Sequence, residues 1–156
     1  MPTVDDHHAA RDTLLMMFFA TDRRDWDTVR SHLADTVHLD YTSLNGGEPA
    51  TIDADDLVTA WKGLLPGFDA THHHLSIITS TGSDIGIDII ANGTATHRLA
   101  STSGESLWTI AGYYNATLQP AGGRWAISAI TFTATWGAGN QELVTLAQQR
   151  AAANGG

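Results

Sequence analysis

The chain has 156 residues, of which 42% are hydrophobic, and this predicts a single folded domain over residues 1–156 with one apolar core. It contains no cysteine, which excludes disulfides, thiolate nucleophiles and cysteine-based zinc sites. The formal net charge is −9, which argues against nucleic acid or an anionic membrane as a partner. No apolar run approaches the roughly 20 residues of a membrane span, and residues 1–10 do not resemble a signal peptide. We therefore expect a cytoplasmic protein.

The first part of the chain predicts helices around one strand. Residues 6–22 read as a helix, because Leu14, Leu15, Phe18 and Phe19 recur at helical spacing. A short helix follows from Asp25, and Asp53 is suited to cap a third helix over residues 54–65. Residues 36–44 alternate as a strand before the Asn-Gly-Gly turn at residues 45–47. This alternation places one set of side chains on the same face: Val37, Leu39, Tyr41 and Ser43.

The second part of the chain predicts a β-meander and a closing helix. Strands are expected over residues 71–79, 85–99, 107–118 and 125–135, separated by glycine-containing turns. The second of these strands should bend or bulge at Asn92-Gly93. A last helix begins near Asn140, and residues 151–156 are expected to be frayed. Helices and strands segregate in this order in α+β folds, which predicts a curved antiparallel sheet covered by helices with a pocket between them.

Four polar residues lie at a helix end or within strand-like apolar stretches: Asp22, Tyr41, His74 and His97. Burying a polar group without a partner costs about 1–3 kcal/mol, so we expect these groups to satisfy one another in one pocket. Asp, His and Tyr are also side chains that move protons in enzymes. The pattern predicts a small pocket protein with acid–base chemistry. The alternative is that Asp22 only caps a helix and His97 lies on an exposed strand face.

Three consecutive histidines, His72 to His74, raise the question of a metal site. Alternation along a strand places His72 and His74 on one face and His73 on the other. Two histidines on one face are fewer than the three or four ligands that zinc takes. We therefore predict no metal and no cofactor, with a polar surface strand as the alternative interpretation.

Residues 21–27 (TDRRDWD) and 38–44 (HLDYTSL) resemble the scytalone dehydratase-like and SnoaL-like proteins of the nuclear-transport-factor-2-like superfamily. The resemblance continues through residues 71–74, His97, 123–125 and 135–137. It covers roughly residues 10–147. It implies a cone-shaped α+β fold in which a curved sheet packs against N-terminal helices and encloses a pocket.

The resemblance also implies roles for individual residues. Asp22 would hold His97, His74 would move protons during loss of water, and Tyr41 would hold a water against a substrate carbonyl. Asn115 would match an asparagine on a late strand. Thr21 and Tyr113 stand where the family has a second tyrosine and a serine. The pocket is therefore expected to bind a different molecule, or to use the same dyad for different chemistry.

Aromatic side chains are candidates to line this pocket against a flat hydrophobic substrate, with a purely structural role in the core as the alternative. The candidates are Phe18, Trp61, Tyr113, Phe132 and Trp136, beside Asn115.

Together these observations predict a cofactor-independent lyase or isomerase, dehydratase-like, acting on a small hydrophobic cyclic ketone or polyketide-like compound. Alternatives are an epoxide hydrolase or polyketide cyclase on the same scaffold, or a non-catalytic module for ligand binding or dimerisation. Arg98 neighbours His97 and should face the opposite side, so no Asp–Arg–Asp group for epoxide opening is evident. Relatives often form dimers or trimers, and a homo-oligomer is expected. Convergence of Asp22, His74 and His97 on one cavity would favour the enzyme.

Overall fold

A computed structural model describes residues 1–101 and 103–155 of the chain. In chain order its elements are α1 (Val4–Asp22), α2 (Trp26–Ser31), β1 (Leu33–Asp40), α3 (Thr42–Asn45), β2 (Ala50–Asp53), α4 (Ala54–Lys62), a short 3-10 helix (Leu65–Gly67), β3 (Ala70–Gly82), β4 (Ile87–Arg98), β5 (Leu107–Ala121), β6 (Arg124–Gly139) and α5 (Leu143–Gly155). No helix in this described part of the chain is both long and apolar enough to cross a membrane.

The strands form one curved, open sheet with the order β2-β1-β6-β5-β4-β3. Strands β3 to β6 pair antiparallel in sequence order, as the predicted meander requires. The sequence did not predict the short strand β2, nor that β1 pairs parallel to β6. Because β3 is the last strand, one of its edges has no strand neighbour, and α1 packs against this strand. The predicted α+β class, with N-terminal helices against a curved sheet, is confirmed.

The core lies between the helices and the inner face of the sheet. Helix α1 begins with a capping box, in which the backbone N–H of Asp6 donates to the Thr3 hydroxyl at 3.2 Å and the Asp6 carboxylate accepts from the Thr3 N–H at 2.7 Å. Its buried side is rotated from the predicted one. Leu15 and Phe19 are 37% and 56% exposed. The buried side instead carries Ala10, Leu14, Met17, Phe18 and Thr21.

The strand predicted over residues 36–44 ends early, at Asp40. The Asp40 carboxylate accepts hydrogen bonds from the backbone N–H and the hydroxyl of Thr42, at 3.0 Å and 2.7 Å, and α3 begins at Thr42. Such a local side-chain bond competes with the continuation of a strand. Tyr41 consequently lies at the start of α3 and not within a strand.

No bulge interrupts β4 at Asn92-Gly93, where a bend or bulge was predicted, because β4 pairs with β3 and β5 in continuous register through these residues. The irregularity lies in the partner strand, between Ile77 and Thr79. A Cβ atom at position 93 would overlap the Cε2 atom of Tyr114. Gly93 thus makes room for a tyrosine ring on the inner face.

The end predicted to be frayed is helical as far as it is described. Helix α5 extends to Gly155, and Ala151 is buried against the rest of the protein. Gly156 lies outside the described residues.

Candidate active site

The inward-facing histidine of β3 is His73. Exposure alternates along this strand, so that Thr71, His73 and Leu75 face inward while His72 and His74 are exposed. The histidine predicted from the sequence, His74, is one residue away and therefore on the opposite face of the sheet. His74 borders a surface cleft together with Asp22, but within the described residues it makes no hydrogen bond to Asp22 or to His97.

Asp22, the last residue of α1, binds His73 through two hydrogen bonds. Its Oδ1 accepts from Nδ1 of the ring at 2.7 Å, and its Oδ2 accepts from the backbone N–H of His73 at 2.7 Å. The Thr71 hydroxyl donates to Oδ1 at 2.9 Å. Since an ionised carboxylate can only accept, Nδ1 of His73 carries a hydrogen and Nε2 is left free to take a proton.

The electrostatics of the pair favour an ionised Asp22. Burial raises the pKa of this carboxyl, but the hydrogen bonds and the charge of His73, together with the Thr71 hydroxyl, outweigh burial and hold the pKa below its ordinary value. Both side chains are largely buried, so water screens their interaction only partly. The pair can therefore orient an imidazole and stabilise the imidazolium that forms when Nε2 is protonated.

His97 also faces inward, but it does not bind Asp22 as the resemblance implied. Its Nδ1 donates to the Trp108 carbonyl at 3.1 Å, and its ring packs between those of Phe68 and Trp108, with centroids 4.9 Å and 4.5 Å away. The residue is only 5% exposed, and burial lowers its pKa to about 4. His97 is thus neutral at pH 7, with Nε2 as an acceptor. The His73 and His97 ring centroids are 6.3 Å apart.

Two tyrosine hydroxyls face the same interior. Tyr114, which is 2% exposed, packs between Phe18 and Phe132 with centroid distances of 4.8 Å to each. The ring of Tyr41 lies 5.9 Å from that of Phe132, and the residue is half-buried against the core. Burial raises the pKa of both hydroxyls, so each is a neutral hydrogen-bond donor at pH 7.

Neither tyrosine hydroxyl has a hydrogen-bond partner within residues 1–101 and 103–155. In the same part of the chain, every fully buried side-chain nitrogen or oxygen has a hydrogen-bond partner. Each hydroxyl oxygen therefore keeps some surface that a water molecule can reach. Tyr114 was not predicted from the sequence, although it lies at even spacing from the inward-facing Ile110, Ala116 and Leu118 in β5.

The remaining candidates fall into three groups. Phe18 and Phe132 are buried and contact site residues, Phe18 with its ring 5.1 Å from His73. Tyr113 and Asn115 are exposed on the outer face, one residue to either side of Tyr114. Since a one-residue shift reverses the face, neither lines the interior.

The two tryptophan candidates lie apart from the dyad. Trp61 is half-buried and packs against the core from α4. Trp136 is 56% exposed and borders a surface groove of about 360 Å³, together with Trp108 and Ile110.

A cleft of about 500 Å³ reaches the dyad from the edge of the sheet, between α1 and β3. Asp22 and His73 lie in its wall, together with Arg23, His72 and His74. Its apolar lining comes from Leu15, Phe18, Phe19 and Leu75. A small hydrophobic molecule could approach the dyad along these side chains. Across the described residues, no group of three or more His, Asp or Glu side chains is placed to hold a metal ion.

The sequence profile of the SnoaL-like domain matches residues 2–131, more than half of the chain. The chain belongs to the SnoaL-like domain family. This confirms the resemblance found in the sequence. No curated protein matches the chain.

Several solved structures share the fold of this SnoaL-like chain. Protein Kfla4162 from Kribbella flavida is 23% identical, with a TM-score of 0.85 over 90% of this chain and 97% of that one. A protein of Novosphingobium aromaticivorans, provisionally named a scytalone dehydratase, is 18% identical, with a TM-score of 0.72 over 88% and 89%. The hexachlorocyclohexane dehydrochlorinase LinA-type3 from Novosphingobium barchaimii is 16% identical, with a TM-score of 0.68 over 88% and 92%. At these identities the comparison shows the fold alone.

The SnoaL-like interior thus holds a complementary set of groups. His73 supplies a basic nitrogen supported by a carboxylate, and His97 supplies a neutral acceptor. Tyr41 and Tyr114 supply donors. This combination can remove a proton from carbon and stabilise the negative charge that develops on a neighbouring oxygen.

Proposed function

We propose that this protein is a cofactor-independent acid–base lyase or isomerase that acts on a small hydrophobic cyclic ketone or polyketide-like compound. The observation that carries the proposal is the Asp22–His73 pair, in which a partly buried carboxylate fixes the imidazole and leaves Nε2 free. The fold is also that of proteins named for dehydration and dehydrochlorination.

In the proposed reaction, Nε2 of His73 removes a proton from the carbon next to the substrate carbonyl. The C–H electron pair forms a double bond to the carbonyl carbon, and the C=O π pair moves to the oxygen, which gives an enolate. Tyr114, and Tyr41 directly or through a water, donate to this oxygen. Positioned proton transfer of this kind contributes roughly 10²- to 10⁴-fold in rate.

The imidazolium formed on His73 then returns the proton. Given to a hydroxyl on the β-carbon, it releases water as the C–O bond breaks and the enolate becomes an enone. Given to another carbon, it completes an isomerisation. Asp22 stabilises the charged ring in both cases, while His97 accepts a hydrogen bond from a substrate hydroxyl. His97 itself cannot supply the proton at pH 7, because burial lowers its pKa to about 4.

The decisive experiment compares His73→Ala with His74→Ala on a panel of cyclic β-hydroxyketones. Incorporation of deuterium from D₂O next to the carbonyl reports proton removal whichever product forms, and enone absorbance reports dehydration. We expect His73→Ala to lower exchange by about 10²-fold or more. His74→Ala should lose far less, because the exposed His74 side chain borders the same cleft without a hydrogen bond to Asp22. Equal activity of the two variants would contradict the assignment.

The same panel addresses the non-catalytic alternative. A ketone that raises the melting temperature of the wild-type protein but exchanges no proton would indicate a ligand-binding module. Epoxide hydrolysis has no comparable support, because Arg98 lies at the surface with its guanidinium 3.5 Å from Asp69. The homo-oligomer and the cytoplasmic location stay predictions.

A further inference from the structure

Arg24 has an unusual backbone conformation beside the dyad. Its φ of +60° is the one positive value found for a non-glycine residue within the described ranges. This left-handed region costs an ordinary L-residue about 1 kcal/mol or more, and glycine adopts it freely. A side chain retained at such a position is a sign that the side chain itself is needed.

The side chain of Arg24 turns inward and spans three parts of the fold. Its Nη1 donates to the Thr21 carbonyl at 3.1 Å and to the Thr71 hydroxyl at 2.7 Å, and its Nη2 donates to the Leu65 carbonyl at 2.7 Å. These bonds join the end of α1 to the 3-10 helix and to β3. The guanidinium is therefore fixed in place, and only the Thr71 hydroxyl separates it from the Asp22 carboxylate.

The chemistry of the three groups fixes the direction of their hydrogen bonds. Arginine can only donate, and ionised Asp22 can only accept. Thr71 has a single hydroxyl proton, so its oxygen accepts from Arg24 and its proton goes to Asp22, at 2.9 Å. No other assignment satisfies both contacts. Thr71 is 7% exposed, which leaves water little access to replace either bond.

We propose that Arg24 and Thr71 are positioning residues that act through Asp22 on the tautomer and orientation of His73. The guanidinium orients the Thr71 hydroxyl, and this hydroxyl holds Oδ1 of Asp22 where it faces Nδ1 of the imidazole. The catalytic consequence rests on the function proposed above, whereas the effect on the ring does not.

The test uses the matched pair Thr71→Val and Thr71→Ser. Valine has nearly the shape of threonine but no hydroxyl, and serine restores the hydroxyl. ¹⁵N NMR at pH 7 distinguishes the Nδ1–H and Nε2–H tautomers of His73, and hydrogen exchange follows the Nδ1 proton. We expect a single Nδ1–H tautomer in the wild type and in Thr71→Ser. In Thr71→Val a second tautomer should appear, and exchange of the Nδ1 proton should be at least about tenfold faster.

A Thr71→Val spectrum identical to that of the wild type would overturn the proposal. Arg24→Gly provides a second variant, because glycine relieves the strained φ while removing the guanidinium, and it should also accelerate exchange. Arg11→Gln, on the first half of α1, is the control for the loss of one positive charge. Should Arg24→Gly fail to fold, the threonine pair decides.

Activity separates this inference from the proposed function. If the His73 dyad is catalytic, Thr71→Val should lower kcat about tenfold with KM nearly unchanged, and Thr71→Ser should recover it. If Thr71→Val alters the tautomers of His73 but the wild-type protein shows no turnover, the positioning role stands and the proposed enzymatic function is refuted.

Discussion

His73 and His97 lie on neighbouring strands with ring centroids 6.3 Å apart, but they have opposite surroundings. His73 bonds a carboxylate near the free edge of the sheet and lies in the wall of a cleft. His97 bonds a backbone carbonyl and is enclosed by the aromatic rings of Phe68 and Trp108.

The difference shows that the partner of Nδ1, more than the residue type, decides what an imidazole can do. A carboxylate supports a positive charge on the ring, whereas a carbonyl in an apolar setting fixes the tautomer without compensating a charge. One histidine can therefore accept a proton during a reaction, and the other remains a neutral acceptor. Both have Nδ1–H tautomers, so Nε2 is the free nitrogen of each ring.

The largest effect is expected from removing the charge that distinguishes the two histidines. An asparagine at position 22 has one acceptor oxygen where the carboxylate has two. In Asp22→Asn, its N–H group would therefore face either Nδ1–H or the backbone N–H of His73, and the ring would lose its fixed tautomer. Turnover should fall by about 10²-fold or more in the deuterium-exchange assay, while circular dichroism keeps its native shape. Asp27→Asn, on α2, is the control for charge. Full activity of Asp22→Asn would mean that the carboxylate does not distinguish the histidines.

The second prediction concerns the cost of keeping His97 neutral. Its pKa is about 4 in the folded protein and 6.5 when unfolded, so between these values the unfolded chain binds more protons. Acidification through this window should remove about 3 kcal/mol from the free energy of unfolding. His97→Gln should abolish this part of the pH dependence, as measured by urea denaturation at pH 7 and pH 4.5. Parallel curves for both proteins would show that His97 is not buried in this way.

The third prediction disturbs the aromatic packing beside His73. Gly93→Ala would push its methyl group into the ring of Tyr114, which packs on Phe18, a neighbour of the His73 ring. Overpacking of this kind costs about 1–3 kcal/mol in the free energy of unfolding. Gly137→Ala is the matched control, because its nearest contact is an ordinary 3.4 Å. Equal stabilities of the two variants would indicate that the ring of Tyr114 moves freely.

The smallest effect on stability is expected for Tyr114→Phe. The hydroxyl has no partner in the described part of the chain, so its removal should change the free energy of unfolding by less than about 0.5 kcal/mol. Turnover should nevertheless fall, because the enolate loses a donor. A loss of stability above about 1 kcal/mol would show that the hydroxyl is bonded within the protein and does not serve a substrate.

The sequence predicted the elements better than the faces on which their residues lie. Periodicity located the long helices and strands, because it records burial over many residues. The choice among adjacent residues depends on alignment by resemblance, and a shift of one residue reverses the face. For this reason His74 was predicted in place of His73, although Leu75 and Ile77, two and four residues after His73, face inward as it does. In β5, Tyr113 and Asn115 were likewise chosen in place of Tyr114.

Contacts between elements distant in the chain could not be read from local pattern. His97 was correctly expected on an inner face, but its partner is the Trp108 carbonyl, which depends on the pairing of β4 with β5. The Arg24 contact with Thr71 likewise joins residues 47 positions apart. Tyr41 was misplaced for a local reason, since the Asp40 carboxylate ends the strand one residue before it.

The bond from the backbone N–H of His73 to Asp22 has a consequence outside the active site. Strand β3 has no strand beyond it, and an unpaired strand edge invites association with other chains. By occupying this N–H, Asp22 places a negative charge where another strand would have to pair. The carboxylate that fixes the His73 imidazole thus also guards the edge of the sheet against pairing with another chain. Under the proposed function, catalysis and solubility would depend on the same side chain.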